Sequence, residues 1–204
     1  MNSTKNRILE AALELFNERG LKNTTLQIIA NKLDISVGNL AYHYKNKPEI
    51  ISAHNQSLEE QITVALSHFR NYPNFLDFQI QLDHIFEVIE CYQYIFINIG
   101  EIKALNQDTF ETVSSFHSKL ILQLESRLEY NLERAVINVI PEKTITKLAS
   151  NIADLIFFSP THSLFESEII AQDKYQKIWS TLTPILSPKG ASEWNTLISP
   201  ILTQ

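Results

Sequence analysis

Between Thr24 and Lys47 the sequence gathers side chains suited to gripping a polyanion rather than to making or breaking covalent bonds. Thr25, Ser36, Asn39, Tyr42 and His43 carry hydroxyl, amide and imidazole groups, and Lys45 and Lys47 add two ammonium groups. Groups of this kind hold phosphate oxygens and reach base edges. Val37 and Gly38 stand among them, small enough to let a large surface come close. The sequence contains no G-x-S-x-G, P-loop, G-x-G-x-x-G or H-E-x-x-H, so no catalytic residue is expected. His54, His68, His84, His117 and His162 fall on separate segments without H-x-x-x-H spacing or a cysteine pair, so neither metal ligand nor cofactor is expected.

To present these groups, the chain needs a short helix whose outer face has no core duties. Ser36 is a good N-cap for a helix running to about Tyr44. Leu40 and Tyr44, four apart, pack inward, which leaves Val37, Gly38, Asn39, Tyr42 and His43 around the rest of the cylinder. Asp34-Ile35 makes a tight turn before it. The preceding helix opens at Thr24-Thr25-Leu26-Gln27, where Thr24 as N-cap and Gln27 three residues on form a capping box. Its inner face is Leu26, Ile29, Ala30 and Leu33. A first helix from Lys5 to Arg19 puts Ile8, Ala12, Leu15 and Phe16 on one side, and Gly20 lets the chain leave it with Leu21 folded back. Two short helices joined by a turn and braced by a third satisfy the requirements of a helix-turn-helix. Asn46-Lys47-Pro48-Glu49 then starts a long helix whose N-terminal backbone donors suit a phosphate.

Past Phe69 the pattern stays helical. Asn71-Tyr72-Pro73-Asn74 is a break, and Phe78, Leu82, Ile85, Ile89, Tyr92 and Phe96 form the seam of one long helix or two abutting ones. Val113, Phe116, Leu120, Leu124, Leu128 and Leu132 mark another. Pro141 opens a helix to Phe158, Ser159-Pro160-Thr161-His162 is a loop, and a further helix spans Asp173 to Leu186 before a terminal helix or tail. With only four glycines and seven prolines, the chain favours long helices, and the fold class is all-α. Net charge is −6, but residues 1–50 hold seven Lys/Arg against five Asp/Glu, and the remainder ten against eighteen. A basic head on an acidic body lets the head alone approach phosphates. The single cysteine, Cys91, rules out an internal disulfide and reads as a small buried residue in a reducing cytoplasm. No apolar run approaches the roughly 18 residues of a spanning helix, and the start lacks a secretory segment.

The stretch Thr24–Ala30 with Ser36–Lys47, and the Ile8–Gly20 helix before it, resembles the DNA-binding domain of the TetR family of bacterial regulators. The resemblance implies an N-terminal three-helix domain, residues 1–46, and a larger helical ligand-binding and dimerisation domain, residues 47–204. It also implies that Thr25, His43 and Lys47 hold the DNA backbone, that Val37, Gly38, Asn39 and Tyr42 face the major groove, and that Tyr44 is core. Two positions depart from the family pattern: Ala41 stands where tyrosine is usual, and Asp34 where glycine is usual, a place aspartate tolerates because it accepts left-handed backbone. The family further implies a homodimer through the last two long helices, with Leu148, Ile152, Ile156, Ile178, Trp179 and Leu182 as interface candidates. Phe86, Tyr92, Tyr94, Phe96, Phe116 and Leu120 are candidates for lining an effector pocket. The expected function is a sequence-specific regulator on operator DNA, a repressor released by a small molecule. The alternatives are a helical ligand-binding or adaptor protein that has lost DNA binding, for which Ala41 speaks, and an all-α enzyme.

Overall fold

The computed structural model describes residues 3–69, 74–162 and 173–203. The helices are α1 (Thr4–Asn23), α2 (Leu26–Lys32), α3 (Val37–His43), α4 (Lys47–Ser67), α5 (Phe75–Cys91), α6 (Gln93–Ile97), α7 (Ile99–Leu105), α8 (Gln107–Glu133), α9 (Glu142–Phe157), α10 (Ser159–His162), α11 (Asp173–Leu182), α12 (Pro188–Leu197) and α13 (Ser199–Leu202). Among the described residues there is no strand, only an isolated bridge between Ile137 and Leu186. The all-α reading of the sequence holds. The expected break at Asn71–Pro73 lies outside the described residues.

Packing divides the chain into two compact units, one containing residues up to Gln61 and Cys91–Ser114, the other Ile62–Glu90 and everything from Ser115. The chain crosses between them three times, within α4, at the end of α5 and within α8.

The first unit is built on α1, whose Ile8, Ala12, Leu15 and Phe16 are buried as their spacing requires. Residues 91–114 join it through hydrogen bonds that sequence spacing could not show. The Asn17 side chain donates to the Cys91 carbonyl at 2.8 Å and accepts from the Tyr94 backbone N–H at 3.1 Å. His54, buried on α4, sits 3.0 Å from the Leu9 carbonyl through Nε2 and 2.8 Å from the Tyr94 hydroxyl through Nδ1. A carbonyl only accepts, so Nε2 carries the proton and Nδ1 accepts from the tyrosine. Cys91 itself is half-buried and free, with its thiol pKa raised by desolvation.

The second unit centres on Trp179, which meets the edges of Phe75 and Phe78 at ring distances of 5.4 and 5.5 Å and donates to Gln79 Oε1 at 2.9 Å. Helix α9 turns Ile145, Ala149, Ile152, Ala153 and Ile156 inward. Its partner α11 supplies Ile178, Trp179 and Leu182. Of the six interface candidates, Ile152, Ile156, Ile178, Trp179 and Leu182 are buried within the single chain, and Leu148 is half-buried. The apolar stripes of both helices meet each other and side chains of α5 and α8. Two boundaries also shift: Ser159–His162 is a helical turn rather than a loop, and α11 gives way at Pro184 to a tighter 3-10 turn, Thr183–Ile185. Gly190 allows α12 to lie against the chain after α8, because a Cβ there would come within 1.8 Å of the Val136 carbonyl oxygen.

Desolvation pushes the His54 pKa down to about 4, against the smaller opposing effect of its bond to Leu9. The unfolded chain, with an ordinary pKa near 6.5, therefore binds the proton first. Stability from this neutral histidine is complete above pH 6.5 and drains away as pH falls toward 4, with about 2 kcal/mol gone by pH 5. Thermal melts followed by circular dichroism between pH 5 and 7 should show that slope. In His54→Gln the slope should flatten; an unchanged slope would locate the titration elsewhere.

Candidate nucleic-acid interface

Helix α3 has seven residues, too few to persist alone, so its ends and one face are fixed by neighbours. Ser36 is the N-cap, its hydroxyl accepting from the Asn39 N–H at 3.1 Å. Leu40 and Tyr44 are buried as their spacing predicts, and burial raises the Tyr44 pKa. The turn before it relies on Asp34 at φ 55°, the positive value for which glycine would be the easier choice. Gly20 likewise adopts φ 79°, which ends the main run of α1 and sends buried Leu21 back under it.

The N-terminus of α2 differs from the sequence reading. Thr25, not Thr24, is the N-cap, with its hydroxyl accepting from Ile28 N–H at 3.3 Å. Thr24 is wholly buried, its hydroxyl 3.1 Å from the Leu15 carbonyl and 3.0 Å from that of Gly20. Gln27 pairs with Asn31 instead of closing a capping box. Two adjacent threonines offered the cap two places. The apolar surroundings of α1 claimed the first, so Thr25 keeps an exposed position at a helix start.

The outer face of α3 is open. Tyr42 is 86% exposed, with its ring edge against His43 at 5.3 Å, and Gly38 and Asn39 are exposed beside it. A Cβ added at Gly38 would meet only Ser36 Oγ, at 3.9 Å, so the chain's own packing does not demand glycine there. Val37 and His43 are partly covered. Of the two flanking lysines, Lys45 is exposed and Lys47 is less available than the sequence suggests. Lys47 donates to the Leu21 carbonyl at 2.6 Å, bracing the end of α1, while the Lys45 backbone N–H binds Glu49 Oε2 at 2.8 Å. The α4 start is also largely closed on itself. Glu49 N–H binds the Asn46 side chain at 3.0 Å, Pro48 has no N–H, and the Glu49 carboxylate repels an incoming phosphate.

Residues 8–53, which span this arrangement, match the family model described as bacterial regulatory proteins, tetR family. The biofilm operon icaADBC HTH-type negative transcriptional regulator IcaR of Staphylococcus epidermidis is 30% identical over 127 residues, covering 57% of this chain and 67% of that protein. The chain belongs to the TetR family. It is a DNA-binding transcriptional regulator. Likeness at the level of fold extends further along the chain. A TetR-family regulator from Marinobacter aquaeolei VT8 superposes with a TM-score of 0.81 at 22% identity, over 92% of this chain and 93% of that one. The ketosteroid regulator KstR2 of Mycobacterium tuberculosis gives 0.68 at 17%, over 92% and 97%.

The six aromatic and aliphatic candidates for an effector pocket are buried and are divided between the two units. Tyr92, Tyr94 and Phe96 belong to the first unit, where Tyr92 accepts a hydrogen bond from Gln61 and Tyr94 packs on Phe16 and His54. Phe86, Phe116 and Leu120 belong to the second, where Phe86 meets Tyr175 and Phe116 meets Phe157. Sequence spacing also kept His68 and His84 apart, whereas their rings stack at 3.8 Å in the second unit. Among the described residues no group of three or more His, Cys, Asp or Glu could hold a metal ion, and no helix is long and apolar enough to cross a membrane.

Gly38 separates the needs of the fold from those of DNA. Gly38→Ala should raise the stability of the first unit by up to about 1 kcal/mol through helix propensity. The same change should weaken binding to the protein's own upstream DNA by about tenfold, because a methyl group then stands on the face that meets the groove. Melts and fluorescence anisotropy decide it; unchanged affinity would remove Gly38 from the interface.

Proposed function

We propose that this regulator is a repressor that grips a two-fold operator as a homodimer and releases it when a small molecule occupies the second unit. The observation that carries the reading is the outer face of α3: a capped helix, anchored by Leu40 and Tyr44, with Tyr42, Gly38 and Asn39 open to solvent. In this reading Val37, Gly38, Asn39 and Tyr42 face the bases. Thr25, Ser36, His43 and Lys45 meet the phosphates, and Lys47 acts chiefly by fixing α1 against the start of α4. Repression is favoured by the likeness to IcaR, a negative regulator by name. A dimer is favoured by geometry, since two recognition helices about 34–36 Å apart read half-sites one turn apart on one face of the duplex. The partner would meet surface that remains exposed, Leu148 included, rather than the core of α9 and α11. Release by a ligand follows if that ligand binds more tightly to a conformer whose recognition helices are wrongly spaced.

The purified protein should bind its own upstream DNA with an affinity that falls steeply with salt, the slope counting the phosphates neutralised. Deleting the gene should raise expression of a reporter driven by that DNA. Tyr42→Ala should change which sequences are preferred, while Lys47→Met should lower the melting temperature and weaken every sequence alike. Binding that ignores salt, or a reporter that falls on deletion, would refute the repressor reading.

A further inference from the structure

The second unit holds a charge that its own chain leaves incompletely satisfied. Arg127, on the inner side of α8, is 4% exposed. Its guanidinium lies over the rings of Phe69 and Phe78, at 5.2 and 4.9 Å from their centroids. Nη2 donates to Gln81 Oε1 at 2.7 Å, but among the described residues Nε and Nη1 have no hydrogen-bond partner. Gln81 cannot do more. Its own amide donates to Gln123 at 2.7 Å, and Gln123 donates to the Leu66 carbonyl at 3.1 Å, so this chain of amides fixes which atom faces the arginine. Burial pulls the Arg127 pKa down to about 9, opposed by attraction from Asp77, so the group stays cationic at neutral pH.

Arg127 and Asn131 are the polar residues lining a small cavity whose other walls are Phe75, Phe78, Leu124, Leu128, Ile137, Ile152, Leu182 and Leu186. Its free volume is about 20 Å³, room for one water or one ligand oxygen. A buried cation with two idle donors in an apolar shell is costly for folding alone, because neutral residues of similar volume often serve stability as well or better. An anionic oxygen would supply both the missing acceptor and the countercharge.

We propose that this cavity is the effector site of the second unit and that it takes a small apolar carboxylic acid, its carboxylate on Arg127 and its hydrocarbon or aromatic body among Phe75, Phe78, Leu124 and Leu182. The inference rests on the ligand-released regulator described above and names the chemistry of its ligand. The body of such an acid exceeds the free volume, so the walls part on binding. Occupancy therefore selects a conformer different from the empty one, which is what a ligand needs to shift an equilibrium.

Trp179 packs on Phe75 and Phe78 and reports the site. In the full-length protein carrying Trp194→Phe, octanoate and phenylacetate should change Trp179 fluorescence saturably, and about tenfold more tightly than octanol and 2-phenylethanol. Arg127→Met should fold with an equal or higher melting temperature and bind acid and alcohol alike. Arg127→Lys, which keeps the charge, should retain a preference for the acids. Equal binding of acids and alcohols, no saturable change with any of them, or an acid preference that survives in Arg127→Met would overturn the proposal. Anisotropy with upstream DNA keeps the two readings apart. DNA binding without acid binding sinks this inference and leaves the repressor standing; acid binding that leaves DNA affinity untouched overturns the cavity's role as effector site while leaving DNA binding itself intact.

Discussion

A helix of seven residues cannot hold itself together, and α3 can be braced on one side only if its other side is to meet DNA. That constraint accounts for much of the first unit. Leu40 and Tyr44 take the inner side. Ser36 satisfies an N-terminal N–H, and the Tyr44 N–H closes the far end on the Leu40 carbonyl at 2.9 Å. The turn into α3 is made by a residue at positive φ, and the helix before it is tied down by a threonine buried against α1. A buried hydroxyl without partners would be expensive, so two carbonyls within reach make Thr24 a tether rather than a liability. Lys47 adds a second tie from the start of α4 to the end of α1.

The second unit solves a different problem, which is to bury long amphipathic helices. Each inward stripe of α9 and α11 finds the other, and Trp179 fills the space beside α5 with its indole N–H satisfied by Gln79. Such a core would be complete with apolar residues alone. Against that background Arg127 stands out energetically: ring faces and one amide offset part of its desolvation, and the remainder is a standing cost. Costs of this kind concentrate where a protein does something besides fold.

What the sequence made legible follows the range of each interaction. Caps, turns and buried stripes are set by neighbours within four residues, so Ser36, Asn46, Gly20 and Asp34, and the faces of α1, α8 and α9, could be placed from spacing. Thr24 and Thr25 were exchanged because local rules score them equally, and only the position of α1 breaks the tie. The assignment of residues 91–114 to the first unit depends on Asn17 and His54, whose partners lie 40 or more positions away. An apolar stripe is limited in a related way: it shows that a helix buries one side, not which molecule covers it. Arg127 did leave a trace, since it lies one turn from Leu124 and beside Leu128 on the seam that pointed inward.

The distribution of positive charge bears on how recognition must work. Of the basic residues near α3, Lys32 is paired with Glu14 at 2.6 Å, and Lys47 is engaged with a backbone carbonyl. The start of α4 has its donors partly taken and carries Glu49. Phosphate attraction, the term that makes binding salt-dependent and indifferent to sequence, then falls to side chains such as the exposed Lys45. In the proposed reading, base-edge contacts by Asn39 and Tyr42, with the close approach that Gly38 permits, supply the sequence preference. The acidic remainder of the chain acts in the same direction, disfavouring DNA except where α3 fits. A head only slightly basic thus favours selectivity over tight, indiscriminate binding, and makes the geometry of one short helix decisive.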